Sequence, residues 1–504
     1  MDYLLGIDSG LTVTKAVVFD TDGRARGLGR RRVPPSMPRP RLVERDPEAL
    51  WRACAEAIGE ALVQAGVAPS AIAAVGLAGH GDGLFLLDRA RRPLGPAILS
   101  LDSRAVALVG RWKADGIAAE ALRLTGQEPH PAAPSALLAW LKDADPQRYD
   151  AIGTVLACKD WLRFRLCGTV GTDRTEASTS FTDLRTQAYT PRALALYGLE
   201  ALAHALPPVA LSTEIVGAVT PEAASATGLR PGTPVACGLH DVTATALGIG
   251  GLRPGRLSIV VGTYSINEVV SEAPVVDPRW LCRNAVMPRQ WMNMAISPAS
   301  TANLEWFLDS FCRAEQERAR AENRSVHEVL ATELERARTR AAGIVFHPFL
   351  FGSPYGGTAS ASFLGLRGWH ERGDLLYAVL EGIVFNHRTH VDALRARFRF
   401  AEARIAGGGA RSPALGQMFA DAMGLPMIVT AVEEAGALGA ALAAGVGIGV
   451  YPDLDTAMGR AEQVARRHEP QESERQHLDD RFALYTAVAE ALAPLWPRLG
   501  AAGG

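Results

Sequence analysis

The chain has 504 residues, 48% of them hydrophobic and 21% charged, with a net charge of −2 and a pI near 6.6. That length exceeds one ordinary domain, so roughly two to four are expected, with ample material for large cores. The balanced charge carries no electrostatic footprint for nucleic acid or an anionic membrane, and the longest apolar stretch, Ala435 to Val450, is Gly/Ala-rich and too short to span a bilayer comfortably. Six cysteines (Cys54, Cys158, Cys167, Cys237, Cys282 and Cys312) are scattered without C-x-x-C spacing. They read as free thiols in a reducing compartment, not as a zinc site or disulfide framework. The chain opens directly on a strand pattern, which leaves no room for a signal peptide and makes a cytoplasmic location the expectation.

From the N-terminus, Tyr3 to Ile7 is an apolar run ending in Asp8-Ser9-Gly10, and Thr14 to Phe19 follows as a second strand. Asp20-Thr21-Asp22-Gly23 is turn chemistry for a further hairpin. Asp46-Pro47 supplies an N-cap and a first-turn proline for a helix over Glu48 to Gln64. Ala71 to Leu77 and Leu84 to Asp88 read as strands flanking the loop Gly79-His80-Gly81-Asp82-Gly83, and Ser135 to Asp143 as a helix. An apolar run closes at Thr233 to Asp241 and gives way to a helical pattern over Val242 to Gly248. Leu252-Arg253-Pro254-Gly255 marks a turn between two halves. Beyond it the strand–glycine–strand pattern returns as Leu257 to Val261, Gly262-Thr263 and Ser265 to Val270. Leu375 to Phe398 and Pro413 to Met423 are helical, and Ala457 to Trp496 reads as a charged helical tail. The expected division is residues 1–250, residues 251–455 and a peripheral helical tail over 456–504.

Asp241 sits where a strand-like run meets a helix, so its carboxylate stands at the carboxyl end of a strand, the edge at which open α/β folds bind ligands. Taken alone it reads first as a helix N-cap, and the motifs at both ends of the chain are what set that reading aside. The segment Gly6 to Lys15 has the makings of a phosphate loop: Gly10 lets backbone approach an anion, Thr12 offers a hydroxyl, Lys15 a charge, and Asp8 could hold Mg2+ through water. In isolation it is an ordinary hairpin turn. No lysine has the preceding glycine of a Walker A motif, which argues against a P-loop NTPase. Gly407-Gly408-Gly409 with Arg411-Ser412 follows an apolar run and precedes a helix, leaving backbone room for a nucleotide; G-x-G-x-x-G is missing, so a Rossmann site is disfavoured. In the loop around residue 80, glycines leave His80 and Asp82 unobstructed, with Asp102 and Arg104 shortly after.

Together these pieces resemble the FGGY family of carbohydrate kinases over essentially the whole chain. Asp8-x-Gly10, Val43-Glu44-x-Asp46-Pro47, Asp173-x-Thr175-x-Ala177-Ser178, Gly238-x-x-Asp241, Gly262-Thr263, Gly407-Gly408, Gln417-x-x-x-Asp421 and Glu434-Ala435-Gly436 fit family patterns in order and spacing. So does the longer signature Ala361-x-Phe363-x-Gly365-Leu366 with Asp374-Leu375 and Ala378 to Glu381. The resemblance implies two actin-like (ribonuclease H-like) ATPase lobes of α/β class around a central cleft, the first binding sugar and the second nucleotide. It implies Asp241 as the base that accepts the sugar hydroxyl proton as that oxygen attacks the γ-phosphorus of MgATP. Asp8, Gly10, Thr12, Gly262 and Thr263 would then surround metal and phosphates, Gly407, Gly408 and Ser412 the adenosine, and His80, Asp82, Asp102 and Arg104 the sugar. Two positions depart from the pattern: Gly10-Leu11-Thr12 lacks one hydroxyl donor, and His80 replaces a common Gln.

Within the family, Gly83 to Asp88, Pro93-Leu94-Gly95, Ala97 to Ser100 and Ser300-x-x-Asn303-Leu304-Glu305-Trp306-Phe307 are similar to bacterial L-xylulose kinases. A ketopentose such as L-xylulose is therefore the expected substrate, with erythritol, another short polyol or autoinducer-2 as alternatives. The reading from another class is a non-catalytic actin-like regulator that binds sugar and nucleotide. A homodimer stays open, because periodicity does not separate an exposed dimer face from core.

Overall fold

The first apolar runs build a sheet buried on both faces. The computed structural model describes residues 2–340 and 343–502. Two compact units form: one from Met1–Pro254, Val270–Asn293 and Ala431–Gln463, the other from Gly255–Val269, Met294–Thr430 and Val464–Gly504.

In the first unit, Tyr3–Ser9 pairs antiparallel with Val13–Asp20, which pairs antiparallel with Ala25–Arg32. On its other edge Tyr3–Ser9 runs parallel to Ile72–Gly79, which takes both Pro234–Ala236 and Leu239–His240 as parallel neighbours. Leu5, Ile7, Val75 and Leu77 are fully buried, which is why these strands read as continuous apolar runs. Helix Pro47–Ala65 starts where expected: Asp46 accepts a hydrogen bond from the Glu48 amide at 2.9 Å, and Gly66 ends the helix in the left-handed conformation. Its buried residues Leu50, Cys54, Ile58 and Leu62 recur every fourth position and share a core with Leu5 and Ile7. Gly6 points to the opposite face, where helix Ala435–Gly447 lies so close that a Cβ on Gly6 would come within 1.9 Å of the Ala437 carbonyl oxygen. The Gly/Ala-rich stretch is thus a core helix whose small residues let its backbone touch the sheet. Among the described residues no helix is long and apolar enough to cross a membrane.

In the second unit, Ser265–Ser271 pairs antiparallel with Arg256–Val261, followed in parallel by Glu402–Ala406 and Met427–Thr430. Helix Arg372–Arg395 packs Leu376, Val379 and Ile383 into a core with Leu304 and Phe307. The C-terminal segment departs from the expected helical tail. Val464–His468 is a strand, antiparallel on the open edge of Met427–Thr430, set between helices Leu454–Ala461 and Glu472–Leu492. Pairing an exposed sheet edge satisfies backbone groups that a helix there would leave to water. Nor is the last long helix wholly peripheral: Leu478 and Tyr485 are buried, and Arg481 binds the Glu381 carboxylate through Nε at 3.1 Å and Nη2 at 2.5 Å.

Candidate active site

Strand register gathers the acidic residues of the first unit. Asp8 pairs with Ala78 and Ser9 with Gly79 across one parallel ladder; His240 pairs with Gly79 across another. Asp8, the loop His80–Asp82 and Asp241 therefore leave the sheet at a common edge, the carboxyl ends of parallel strands. Asp241 is not the N-cap of the following helix but its first residue; the cap position is His240, and the Asp241 carboxylate accepts a hydrogen bond from the Val242 amide at 2.7 Å. The Asp241 side chain keeps 28% of its surface exposed. Burial, then the like charge of Asp8, push its carboxyl up to about 8. Burial likewise raises Asp8 to about 6, with Lys15 opposing and Glu434 adding to the shift.

His240 was not singled out by the sequence. Its Nε2 lies 3.3 Å from Asp241 Oδ1, and its backbone amide donates to Thr175 Oγ1 at 2.9 Å. Thr175 in turn donates its hydroxyl to Asp173 Oδ2 at 2.8 Å, and Asp173 Oδ1 lies 3.1 Å from the buried Lys159 ammonium. The Asp173–Ser178 motif thus acts behind the candidate base, holding the strand end that presents it. Burial pushes the His240 imidazole down to about 4, so it is neutral at physiological pH.

Asp82 takes a left-handed backbone, φ 57°, a conformation in which Asp is enriched. Its oxygens meet Arg283 Nη2 at 3.1 and 3.4 Å and His130 Nε2 at 3.4 Å. Burial alone would raise its carboxyl; Arg283 and His130 outweigh it and hold Asp82 well below the usual carboxylate range. Arg283 also donates Nε to Gln127 Oε1 at 2.8 Å. It lies 201 residues from Asp82 in sequence, so no local signal could have found the pair. His80 is buried against Phe85, its ring pushed down to about 3, chiefly by desolvation.

Asp102 and Arg104 engage each other. Arg104 donates Nε and Nη2 to the two Asp102 oxygens at 2.9 and 2.8 Å and Nη2 to Glu44 at 2.7 Å, while the Val43 amide donates to Asp102 at 2.7 Å. With both carboxylate oxygens used and the guanidinium nearly inaccessible, this pair fastens the loop and leaves little to offer a ligand. Lys15 is similarly engaged: its ammonium lies 2.6 Å from Glu434 Oε2. Gly10 and Thr12 form the expected turn, the Gly10 amide donating to the Val13 carbonyl at 3.0 Å and the Thr12 side chain exposed. Gly436 touches the site from helix Ala435–Gly447, since a Cβ there would meet Asp8 Oδ2 at 2.6 Å.

The second unit repeats the device. Val260 and Ala406 are in parallel register, so Gly262-Thr263 and Gly407-Gly408 leave neighbouring strand ends together. Gly407 has φ 94° and lies against Val261, while a Cβ on Gly408 would meet nothing within 4 Å, open backbone that a ligand can approach. Ser412 caps helix Pro413–Met423, its hydroxyl accepting from the Leu415 amide at 3.3 Å.

Two α/β units of actin-like ATPase type, with an acidic strand edge in one and glycine-rich strand ends in the other, are those of a phosphotransferase with a carbohydrate alcohol as acceptor. The pattern of the FGGY family of carbohydrate kinases matches in both of its parts, the N-terminal domain over residues 3–248 and the C-terminal domain over residues 257–448. The chain belongs to that family. It is 36% identical to the L-xylulose/3-keto-L-gulonate kinase of Escherichia coli over 99% of this chain and 98% of that protein. It is 30% identical to the erythritol kinase of Brucella abortus over 99% of this chain and 98% of that protein. Its fold matches the crystal structure of ligand-bound xylulose kinase from Lactobacillus acidophilus with a TM-score of 0.90 and 23% identity, covering 99% of this chain and 100% of that one. A carbohydrate kinase is an enzyme, which sets aside the non-catalytic reading.

Proposed function

We propose that the chain transfers the γ-phosphoryl group of ATP to a hydroxyl of a small sugar, with a ketopentose such as L-xylulose as first choice. The observation that carries this reading is Asp241: a partly buried carboxylate at a strand end beside Asp8, with its proton affinity raised toward neutrality. Such a group suits general-base work, because a base is most effective when its pKa lies near the operating pH. Asp241 takes the hydroxyl proton, the sugar oxygen bonds to phosphorus, and the bond to ADP breaks. The supporting likeness is to relatives named for L-xylulose and for erythritol, so erythritol or another short polyol is the second reading, and autoinducer-2 the third.

Asp8 is the residue that would hold Mg2+, through water; a single half-buried carboxylate fits a cation that keeps most of its waters and binds mainly to phosphates. Bound there, Mg2+ neutralises charge on the transferring group. Gly10 and Thr12 are assigned to the phosphates, and Gly262, Thr263, Gly407, Gly408 and Ser412 to the nucleotide. Lys15, tied to Glu434, would act on the phosphates only by exchanging that partner. His80 and Asp82 are assigned to the sugar. The free cysteines fit a reducing cytoplasm.

The test is coupled ADP release across ketopentoses, aldopentoses and tetritols, with Asp241→Asn as control. One strongly preferred sugar, with the variant inactive, supports the reading. No stimulation by any sugar, from protein that binds ATP, would overturn it.

A further inference from the structure

We propose that His387 is a positioning residue for the nucleotide: lodged behind the turn Gly262-Thr263, it fixes the geometry that this turn presents to ATP. This rests on the reading of the glycine-rich strand ends as the nucleotide site and adds the residue that holds them.

The turn is short. Val261 pairs with Ser265, so Gly262, Thr263 and Tyr264 alone close the hairpin. Alternate strand residues share a face, and Ser265 and Asn267 both turn inward and are buried. Asn267 donates Nδ2 to Ser265 Oγ at 3.1 Å and to the Ala295 carbonyl at 3.3 Å, which leaves its Oδ1 to accept. His387 Nδ1 lies 2.9 Å from that oxygen and is therefore the nitrogen that carries the proton. Its Nε2 must then accept, and the donor is the Ser300 hydroxyl at 3.2 Å. Burial, then His390, hold the imidazole well below its usual range, which keeps it neutral.

Ser300 stands at the N-cap of helix Thr301–Phe311, where a serine ordinarily caps its own helix; here its side chain makes no such bond. The hydroxyl goes to His387 instead, and the next amide, that of Thr301, donates to the Gly262 carbonyl at 3.0 Å. Asn386, beside His387 on helix Arg372–Arg395, holds the Ala299 carbonyl through Nδ2 at 2.9 Å. The imidazole thus grips the strand that leaves the turn, through Asn267, and the helix start that holds Gly262, through Ser300. It also meets Phe419 edge-on, ring centroids 5.1 Å apart, in helix Pro413–Met423, the one that Ser412 caps. Asn267, Ser300, Asn386 and His387 are all buried, so they act on a ligand only through the backbone they hold. A fully satisfied buried network of this kind rigidifies what it joins.

The experiment measures ATP affinity by calorimetry, and KM for ATP and for the preferred sugar, on the full chain and its variants. His387→Leu fills the space but neither donates nor accepts. It should raise Kd and KM for ATP by about 10-fold and KM for the sugar by less than about 3-fold. His387→Gln, which donates and accepts at once, should restore most of the loss. Ser300→Ala combined with His387→Leu should cost no more than the larger single loss, since both break one contact. If His387→Leu does not fold, Ser300→Ala against Ser300→Thr reads the same contact, with the same split between ATP and sugar expected. Losses shared equally by ATP and sugar, or a conservative variant no better than the disruptive one, would sink the proposal alone. A parent protein that neither binds ATP nor phosphorylates any sugar would sink the kinase reading with it.

Discussion

His240 stands against Asp241, Nε2 to Oδ1 at 3.3 Å, in a space that residue 81 provides by being glycine: a Cβ there would lie 2.1 Å from the same Nε2. The ring is also held from behind through its backbone amide and Thr175. A neutral imidazole against a carboxylate fixes where that carboxylate points, and a small displacement of a base is enough to lose most of its value.

Gly81→Ala should therefore cost on the order of 100-fold in kcat, with a smaller change in KM. His240→Gln, which keeps a neutral donor of similar reach, should lose less than His240→Ala. Steady-state kinetics on the three variants checks this. Equal losses for Gln and Ala would leave the ring a packing role only.

Asp241→Asn should lower kcat by about 100- to 10,000-fold, the range a general base contributes. ATP binding, followed by calorimetry, should change little. A variant retaining most of its turnover would mean that another group takes the proton.

The pH dependence follows from the raised carboxyl. Asp241 works as a base only when ionised, so kcat/KM should rise with pH toward a limb near 8, its position in the free enzyme. Stability runs the other way. A carboxyl raised from 3.8 to about 8 favours the folded state below pH 4 and loses that contribution as pH climbs toward 8. Asp241→Asn should then match the parent in thermal unfolding near pH 4 and melt a few degrees higher near pH 8.

Gly436→Ala tests the approach of helix Ala435–Gly447 to Asp8. The new methyl would press on Asp8 Oδ2, whose contact with that position is 2.6 Å. Turnover should fall by on the order of 100-fold, and added Mg2+ should restore part of it if Asp8 acts through the metal. The measurement is a Mg2+ titration of kcat in both proteins.

Lys159→Met probes the support behind the site. Lys159 Nζ lies 2.5 Å from Asp160 Oδ1 and 3.1 Å from Asp173 Oδ1, all three side chains almost wholly inaccessible. Removing the cation strands two buried carboxylates and should cost about 3–5 kcal/mol, read from urea unfolding. Lys159→Met with Asp173→Asn should recover part of that loss.

The sequence alone determined the local and the modular features of this protein. Helix limits such as Asp46-Pro47 and Pro413–Met423, the glycine turns at Gly10 and Gly262, and the placing of Asp241 at a strand end all rest on neighbours within a few residues, where capping and turn chemistry act. Their order along the chain carried the family. Tertiary structure decided what faces what. Arg283 reaches Asp82 across 201 residues, and Lys15 reaches Glu434 across 419. Asp102 and Arg104, promising beside the sugar loop in sequence, turn to each other, and Val464–His468 becomes a strand because an open sheet edge waits for it. A charged side chain is assigned its role by the partner that desolvates and pairs it, and that partner is brought by the fold, not by the neighbouring sequence.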